Sequence, residues 1–404
     1  MTSSAMLPQK IRQKIVDKPS WYKSDGENGW MTIDLSAPPN LLGFAQLSPD
    51  PSERLTIEEL AYRQTYLDRL YRKMNDATID IFDIICANWI ENKNSAGFAM
   101  LYAKDILDLR CIAKSRKFSY ETNAKKDIAD HVNILRNLWI SVNKAPVYEE
   151  IDGRRQKTTL RTHGRLILVS GYQDKETERD ITPYSWSVMP GEVIQPFFSN
   201  PNKQFMLMTK KVLAYHPTKQ VIEKRVARHL IWQFRLRQAK GDYLRPFNNE
   251  KLLTAACIKI DRRNPARNQD RIEAAFNQLT EDGIISGWQY ALDGEDEKFH
   301  KKGWIDDWLK LGIIFEPPLE IVNFNANIEN KLLHRPKQER HGTLEDLKHF
   351  QESNRMTQLK LAEMLNITPA YLSMILHGRR MPPKKIVSKI ATLLRPPPSD
   401  TNSN

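Results

Sequence analysis

Thr357-Gln358-Leu359-Lys360-Leu361-Ala362-Glu363-Met364-Leu365-Asn366-Ile367-Thr368-Pro369-Ala370-Tyr371-Leu372-Ser373-Met374-Ile375-Leu376-His377-Gly378 is the stretch on which the reading of this chain turns. Its spacing predicts two short helices joined by a tight turn. Thr357 stands as an N-cap, and Leu361, Ala362 and Leu365 fall on one helical face. Asn366-Ile367 make the corner: Asn tolerates the left-handed backbone of a sharp helix exit, and Ile367 plugs the angle. Thr368 then caps a second helix with Pro369 at its first position, where a missing N–H costs nothing. Leu372, Ile375 and Leu376 give that helix its buried face.

A hairpin this short cannot bury enough surface alone, so flanking helices are required. Thr343 to Leu347 opens one, with Leu344, Leu347 and Phe350 at three-residue spacing. Pro382-Pro383 start another, with Ile386, Ile390, Leu393 and Leu394 on one face, and Pro396-Pro397-Pro398 end it. This unit, about an eighth of the chain, resembles the Cro/repressor-type (XRE-like) helix-turn-helix family. The resemblance implies a compact all-α bundle that offers its second helix to a DNA groove. In that family the Gln opening the first helix of the pair contacts a phosphate, a role that falls to Gln358. Residues early in the recognition helix face base edges, here Pro369, Ala370, Ser373 and Met374, with Thr368 and His377 bordering them. Only Ser373 can hydrogen-bond a base. The apolar neighbours suit a thymine methyl, which implies a bias to A·T-rich sites. Arg379, Arg380 and Lys384, just beyond Gly378, are expected phosphate clamps.

The chain has 404 residues, enough for two or three domains with cores of their own. A net charge of +12 favours a polyanionic partner. From Arg335 to Arg395 twelve Lys/Arg face five Asp/Glu, so basic charge concentrates where the quoted motif lies. Cys86, Cys111 and Cys257 are far apart and read as small core residues, with neither a disulfide framework nor zinc spacing. No apolar run reaches the length of a membrane span, and the N-terminus lacks the order of a signal peptide. A cytoplasmic, nucleoid-associated protein is expected.

The expected organisation is an irregular, Pro-rich arm over 1–55, winged-helix-like domains over 56–200 and 201–322, a linker over 323–341, the helix-turn-helix domain over 342–396 and a disordered tail over 397–404. The fold class is mainly α with small β-hairpins (α+β). In the first middle domain, helices from Tyr102 and from Thr122-Asn123 lead to an apolar strand at Leu138. Asp152-Gly153 then turns the chain into one return strand from Thr158 to Val169, read as a wing. In the second, helices over 219–238 and 248–257 and from Asn264-Pro265 precede a strand at Ile284 and a turn at Asp293-Gly294. Outward-facing Asn123, Lys125 and Lys126, the wing residues Arg154, Arg155, Arg161 and Arg165, and Arg267, Asn268, Gln269 and Arg271 are the types that contact phosphates and base edges. Arg225, Arg228, His229, Arg235 and Arg237 share one helix, read as a basic face crossing the DNA backbone.

No Gly-x-x-x-x-Gly-Lys-Ser/Thr loop and no metal-spaced His pair occurs, so no cofactor, metal or catalytic residue is assigned and no enzyme is expected. Tyr215 beside His216-Pro217 reads as a turn rather than a nucleophile. Tandem winged helices in a basic protein of this size loosely resemble plasmid- or phage-type replication initiators, which bind origin repeats in double-stranded DNA. A transcriptional regulator of a mobile element is the alternative. A homodimer and host replication factors are further partners such a protein would have; no membrane or small-molecule partner is indicated.

Overall fold

The computed structural model describes all residues except 1, 4, 25–28, 113–120, 152–153, 173–183, 199–204, 239, 292–303, 334–346, 348–349, 352–355, 377–385, 387–388 and 390–404. The chain divides into two units, Met1–Ile328 and Glu329–Asn404.

Residues 1–55 are part of the body and not an irregular arm. After the two-residue strand β1 (Thr2–Ser3), helix α1 (Met6–Val16) buries Leu7, Ile11 and Ile15 at four-residue spacing. Trp21 is buried with its indole N–H donating to Lys14 O at 2.8 Å. Strands β2 (Tyr22–Lys23), β3 (Met31–Asp34) and β4 (Leu42–Leu47) follow. They are too short, and too interrupted by Pro, to show as a periodic pattern, yet Ile33, Ala45 and Leu47 lie in the main core.

Helix α2 (Ile57–Lys73) begins with a capping box between Thr56 and Glu59. Then come α3 (Asp76–Asn92), β5 (Ala99–Tyr102), α4 (Ala103–Leu109), α5 (Thr122–Arg136), β6 (Leu138–Ile151), β7 (Arg154–Arg165), β8 (Ile167–Tyr172) and β9 (Ser185–Pro190). A three-stranded sheet in the order β5-β9-β8 closes a winged helix made of α3, β5, α4, α5, β8 and β9. The paired strands of this winged helix are therefore β8 and β9, and the hairpin expected to be the wing is an insertion. Strands β6 and β7 belong to a second sheet, ordered β2-β3-β4-β6-β7. The single return strand expected over 158–169 is broken because Leu166 crosses between the sheets: its N–H donates to Leu138 O and its carbonyl accepts from Gly191 N. Only glycine fits at 191, where a Cβ would stand 1.7 Å from Arg165 O.

Strand β10 (Phe205–Met206) pairs with β1, and α6 (Lys210–Ala214) leads into the second module. This consists of α7 (Val221–Gln238), β11 (Phe247–Asn248), α8 (Asn249–Ala255), α9 (Pro265–Glu281), β12 (Gly287–Ala291), α10 (Trp304–Lys310) and β13 (Gly312–Glu316). Its sheet order, β11-β13-β12, repeats the order of the first winged helix. The two modules have separate cores, interleaved where Met206 joins the second and Leu213 the first. Their second helices also end alike. Cys111 and Cys257 take left-handed φ values of 52° and 53°. Ile112 N then reaches back to Leu107 O, and Ile258 N to Leu253 O, closing the same helix-ending motif. Because of this role Cys111 is exposed and Cys257 half-buried; of the three cysteines only Cys86 is the core residue expected. Helix α11 (Leu319–Leu333) occupies much of the span expected to be a linker, the rest of which, like the tail and the turn at 293–294, lies outside the described residues.

In the C-terminal unit α12 (Gln358–Leu365) and α13 (Pro369–Leu376) pack through Leu361, Ala362, Leu365, Leu372 and Leu376, with Leu347 and Ile386 completing the core.

Candidate nucleic-acid interface

The C-terminal corner is built as its residues dictate. Thr357 Oγ1 accepts from Lys360 N, and Asn366 sits at φ 56°, ψ 51°. That conformation lets Ile367 N donate to Ala362 O at 3.0 Å and fixes the angle between the helices. Thr368 Oγ1 accepts from Tyr371 N at 3.3 Å, capping α13. Lys389 Nζ donates to Leu365 O, where α12 leaves a carbonyl unpaired. Gln358, Thr368 and Pro369 are exposed and Ser373 is half-buried, so the leading edge of α13 is open. The side chains of Ala370 and Met374, and all of His377, Arg379, Arg380 and Lys384, lie outside the described residues.

In the second winged helix α9 occupies the recognition position and offers an exposed residue at each turn: Arg267, Asp270, Arg271, Ala274 and Asn277. Its inner side is held by Ile272, Ala275, Phe276 and Leu279. Of the expected contacts, Arg267 and Arg271 face out. Asn268 instead donates to Asp261 O (2.6 Å) and Asn264 O (3.0 Å), tying the turn to the helix start. Gln269 donates to Glu273, which also accepts from Tyr290 OH at 2.8 Å; Trp308 in turn donates to that hydroxyl. Asn268 and Gln269 therefore position α9 and are not free readers of bases. Exposed Lys259 and Arg263 in the turn before α9 were not singled out from sequence, although the run Lys259-Ile260-Asp261-Arg262-Arg263 carries the signal. A cleft of about 680 Å³ beside Lys259 is edged by Lys259 and Arg271, where a phosphate backbone would meet positive charge, and by Lys14 paired with Asp17 at 3.2 Å.

The equivalent helix of the first winged helix is covered over its C-terminal half, while Thr122, Asn123 and Asp127 at its start are exposed. From Ile128 to Arg136 no residue of α5 is exposed. α2 packs along α5, with Lys73 pairing to Asp130 and Leu67 and Leu70 buried beneath. Lys125 and Lys126 are half-buried, Lys125 Nζ lying 5.2 Å from the Tyr184 ring. Arg154 and Arg155 open β7 of the inserted hairpin, their side chains outside the described residues. Arg165 is paired with Asp50 at 2.7 Å.

The basic face expected on α7 is not a DNA surface. Its first half, around Arg225 and Arg228, lies against the acidic face of α3, the corresponding helix of the other module, while Arg235 donates to Gln238 and Arg237 to Tyr243 O at 3.3 Å. Lys224 Nζ meets Asp80 at 2.9 Å, with both side chains 0% exposed, and donates to the carbonyls of Val212, Leu213 and Tyr215. Arg225 binds Asp76 at 2.9 Å and Cys257 O at 2.7 Å. Arg228 reaches Asp76, Asp80 and Asp83, while Arg12 and Arg110 add contacts to Asp83 and Asp80. Burial draws the Lys224 ammonium down to about 8 despite Asp80 beside it. Next to this network His229 is buried and its imidazole pushed down to about 4, chiefly by desolvation. An arrangement in which each charge has several partners is directional, and it fixes how the two winged helices meet.

Tyr215 donates to Asp282 at 2.6 Å, and burial together with that carboxylate raises its phenol above the ordinary range. It straps α6 to the end of α9. His216 Nδ1 accepts from Thr218 N and Lys219 N, so this segment is the expected turn. Among the described residues no group of three or more His, Cys, Asp or Glu side chains is placed to hold a metal, and no helix is long and apolar enough to cross a membrane.

Residues 351–398 match the helix-turn-helix family model. The chain thus carries a DNA-binding module of that class, set after two winged-helix-like domains. No curated protein matches the chain. In structure it is loosely similar to the RctB domains 2–3, at 10% identity and a TM-score of 0.41, over 76% of this chain and 98% of that one.

Proposed function

We propose that this protein is a sequence-specific binder of double-stranded DNA that acts as a replication initiator at repeated sites, by binding and without a catalytic step of its own. The observation that carries the reading is the open face of α9, where Arg267 and Arg271 stand beside Lys259 and Arg263 of the preceding turn, on a module locked to its neighbour, in a chain with a second reader at α12–α13. Linked readers raise one another's effective concentration, so individually weak contacts give one tight footprint. Gln358 and the turn residues Lys259 and Arg263 would hold phosphates; Ser373, Arg267 and Arg271 would meet base edges. Phosphate contacts supply affinity, and the few base contacts supply choice of site.

Footprinting the full chain on the DNA upstream of its own gene tests this. Directly repeated protected sites, together with maintenance of a minimal replicon that depends on the protein, are the expected result. Protection confined to a promoter, with replication unaffected by deletion, would replace initiation with transcriptional regulation, the reading that the helix-turn-helix module alone favours. Ser373→Ala should alter base preference at one position while leaving the salt dependence of binding unchanged.

A further inference from the structure

The five-stranded sheet has a second face that the winged helices do not use. One side of β3, β4 and β6 carries Ile33, Ala45, Leu47, Leu138, Ile140 and Val142, all buried. Side chains alternate along a strand, so their neighbours point the other way. The pairings Phe44↔Ser141, Ser141↔His163, Gln46↔Trp139 and Trp139↔Arg165 set Phe44, Trp139, His163 and Arg165 together on that opposite face. His163 stacks on Trp139 with ring centroids 5.2 Å apart and planes 16° from parallel. The Arg165 guanidinium lies 5.1 Å from the same indole, held by Asp50. His163 is exposed, and Phe44 and Trp139 are half-buried. Continuing along the same side of β7, Arg161 and Lys157 are exposed, as is Lys144 where β6 bulges opposite.

We propose that this face binds single-stranded nucleic acid. Bases stack on Phe44 and on the outer side of the Trp139–His163 pair, while Lys144, Lys157 and Arg161 hold the backbone. The aromatic groups occupy three adjacent strands and so span about 10 Å, room for a few unstacked bases. A duplex cannot use such a platform, because its bases already stack on one another. Exposed Asp34, paired across from Phe44, is a carboxylate beside the rings; the row of Lys144, Lys157 and Arg161 outweighs it, fits a polyanion and opposes a second copy of the same face. This site is separate from α9 and α13, so it stands or falls independently of the duplex-binding reading.

The test is fluorescence anisotropy of the full chain with a labelled oligo-thymidine strand of about 20 nucleotides, beside a duplex carrying the protected site. Wild-type protein should bind the strand with a salt slope of about −0.7 per phosphate contacted. The double variant Arg161→Ala/His163→Ala should weaken strand binding about tenfold and change duplex binding less than twofold. Phe44→Leu keeps the apolar bulk and removes the ring, and should lower strand affinity several-fold with an unchanged melting temperature. Strand affinity identical in wild type and both variants, or no strand binding by wild type at low salt, would overturn the proposal. So would sedimentation showing that the double variant instead disperses a dimer, which would make the face a contact between copies.

Discussion

The two winged helices share strand order, helix order and even the left-handed cysteine that ends the second helix, yet they present their third helices in opposite ways. In the second module α9 packs on one side against β12 and β13 and leaves Arg267 and Arg271 exposed on the other. In the first, α2 and the inserted β6–β7 hairpin have been added around the same framework, and α2 lies along α5. A recognition helix reads DNA only if one side is left unpacked. The additions that enlarge the first core therefore cover the C-terminal half of its third helix and leave only the first turns exposed. On the function proposed above, the first module holds position and the second makes contact, and the charged seam between α3 and α7 joins the two roles.

The seam offers the largest effect by which to break this comparison. Asp80→Ala leaves Lys224, Arg228 and Arg110 buried without their common partner and should cost about 3–5 kcal/mol. Urea unfolding of the wild type should show one transition for the paired modules, and the variant should separate into two; an unchanged single transition would mean the seam does not couple them. Next comes acid. An unfolded His229 would take up a proton near 6.5, whereas the buried one does so only near 4. The unfolded chain therefore binds more protons in that window, and stability should fall as pH drops through it, by up to about 3 kcal/mol. His229→Phe should flatten that part of the stability–pH curve relative to wild type.

Smaller effects sharpen the contrast between α9 and α5. Arg267→Ala and Arg271→Ala should each weaken duplex binding by about 1–3 kcal/mol and relax base preference, whereas Lys125→Ala and Lys126→Ala should change it little. Equal losses from both pairs, measured by salt titration of gel-shift affinity, would make the modules equivalent readers. The smallest effect belongs to Lys73→Ala. Its pair with Asp130 is largely exposed and worth under about 1 kcal/mol, and Leu67 and Leu70 still seat α2. Hydrogen exchange over 128–136 should stay slow.

Much of the chain could be read directly. The corner at Asn366, both caps around it and the buried faces of α12 and α13 follow from spacing within some twenty residues, and all are where the sequence placed them. The three helices that open each winged module were legible for the same reason, whereas α10 was not. One further signal was available and passed over: Leu107 and Cys111-Ile112 repeat, at the same spacing, as Leu253 and Cys257-Ile258. The β-structure was less legible. Residues 22–47 form short strands whose partners are remote in sequence, and the 158–169 segment hides a change of sheet at Leu166.

By itself the sequence determined the elements whose stabilising contacts are local: helix faces, caps, the helix-turn-helix corner and the overall positive charge. Tertiary structure alone decided which charges are available. Arg225 and Arg228 look like part of a DNA-facing row until α3 brings Asp76 and Asp80 across from about 150 residues away. Asn268 and Gln269 look like base readers until the turn and Glu273 claim them. Helix periodicity is a property of neighbours a few residues apart, whereas the pairing of a charge depends on whatever the fold brings to it.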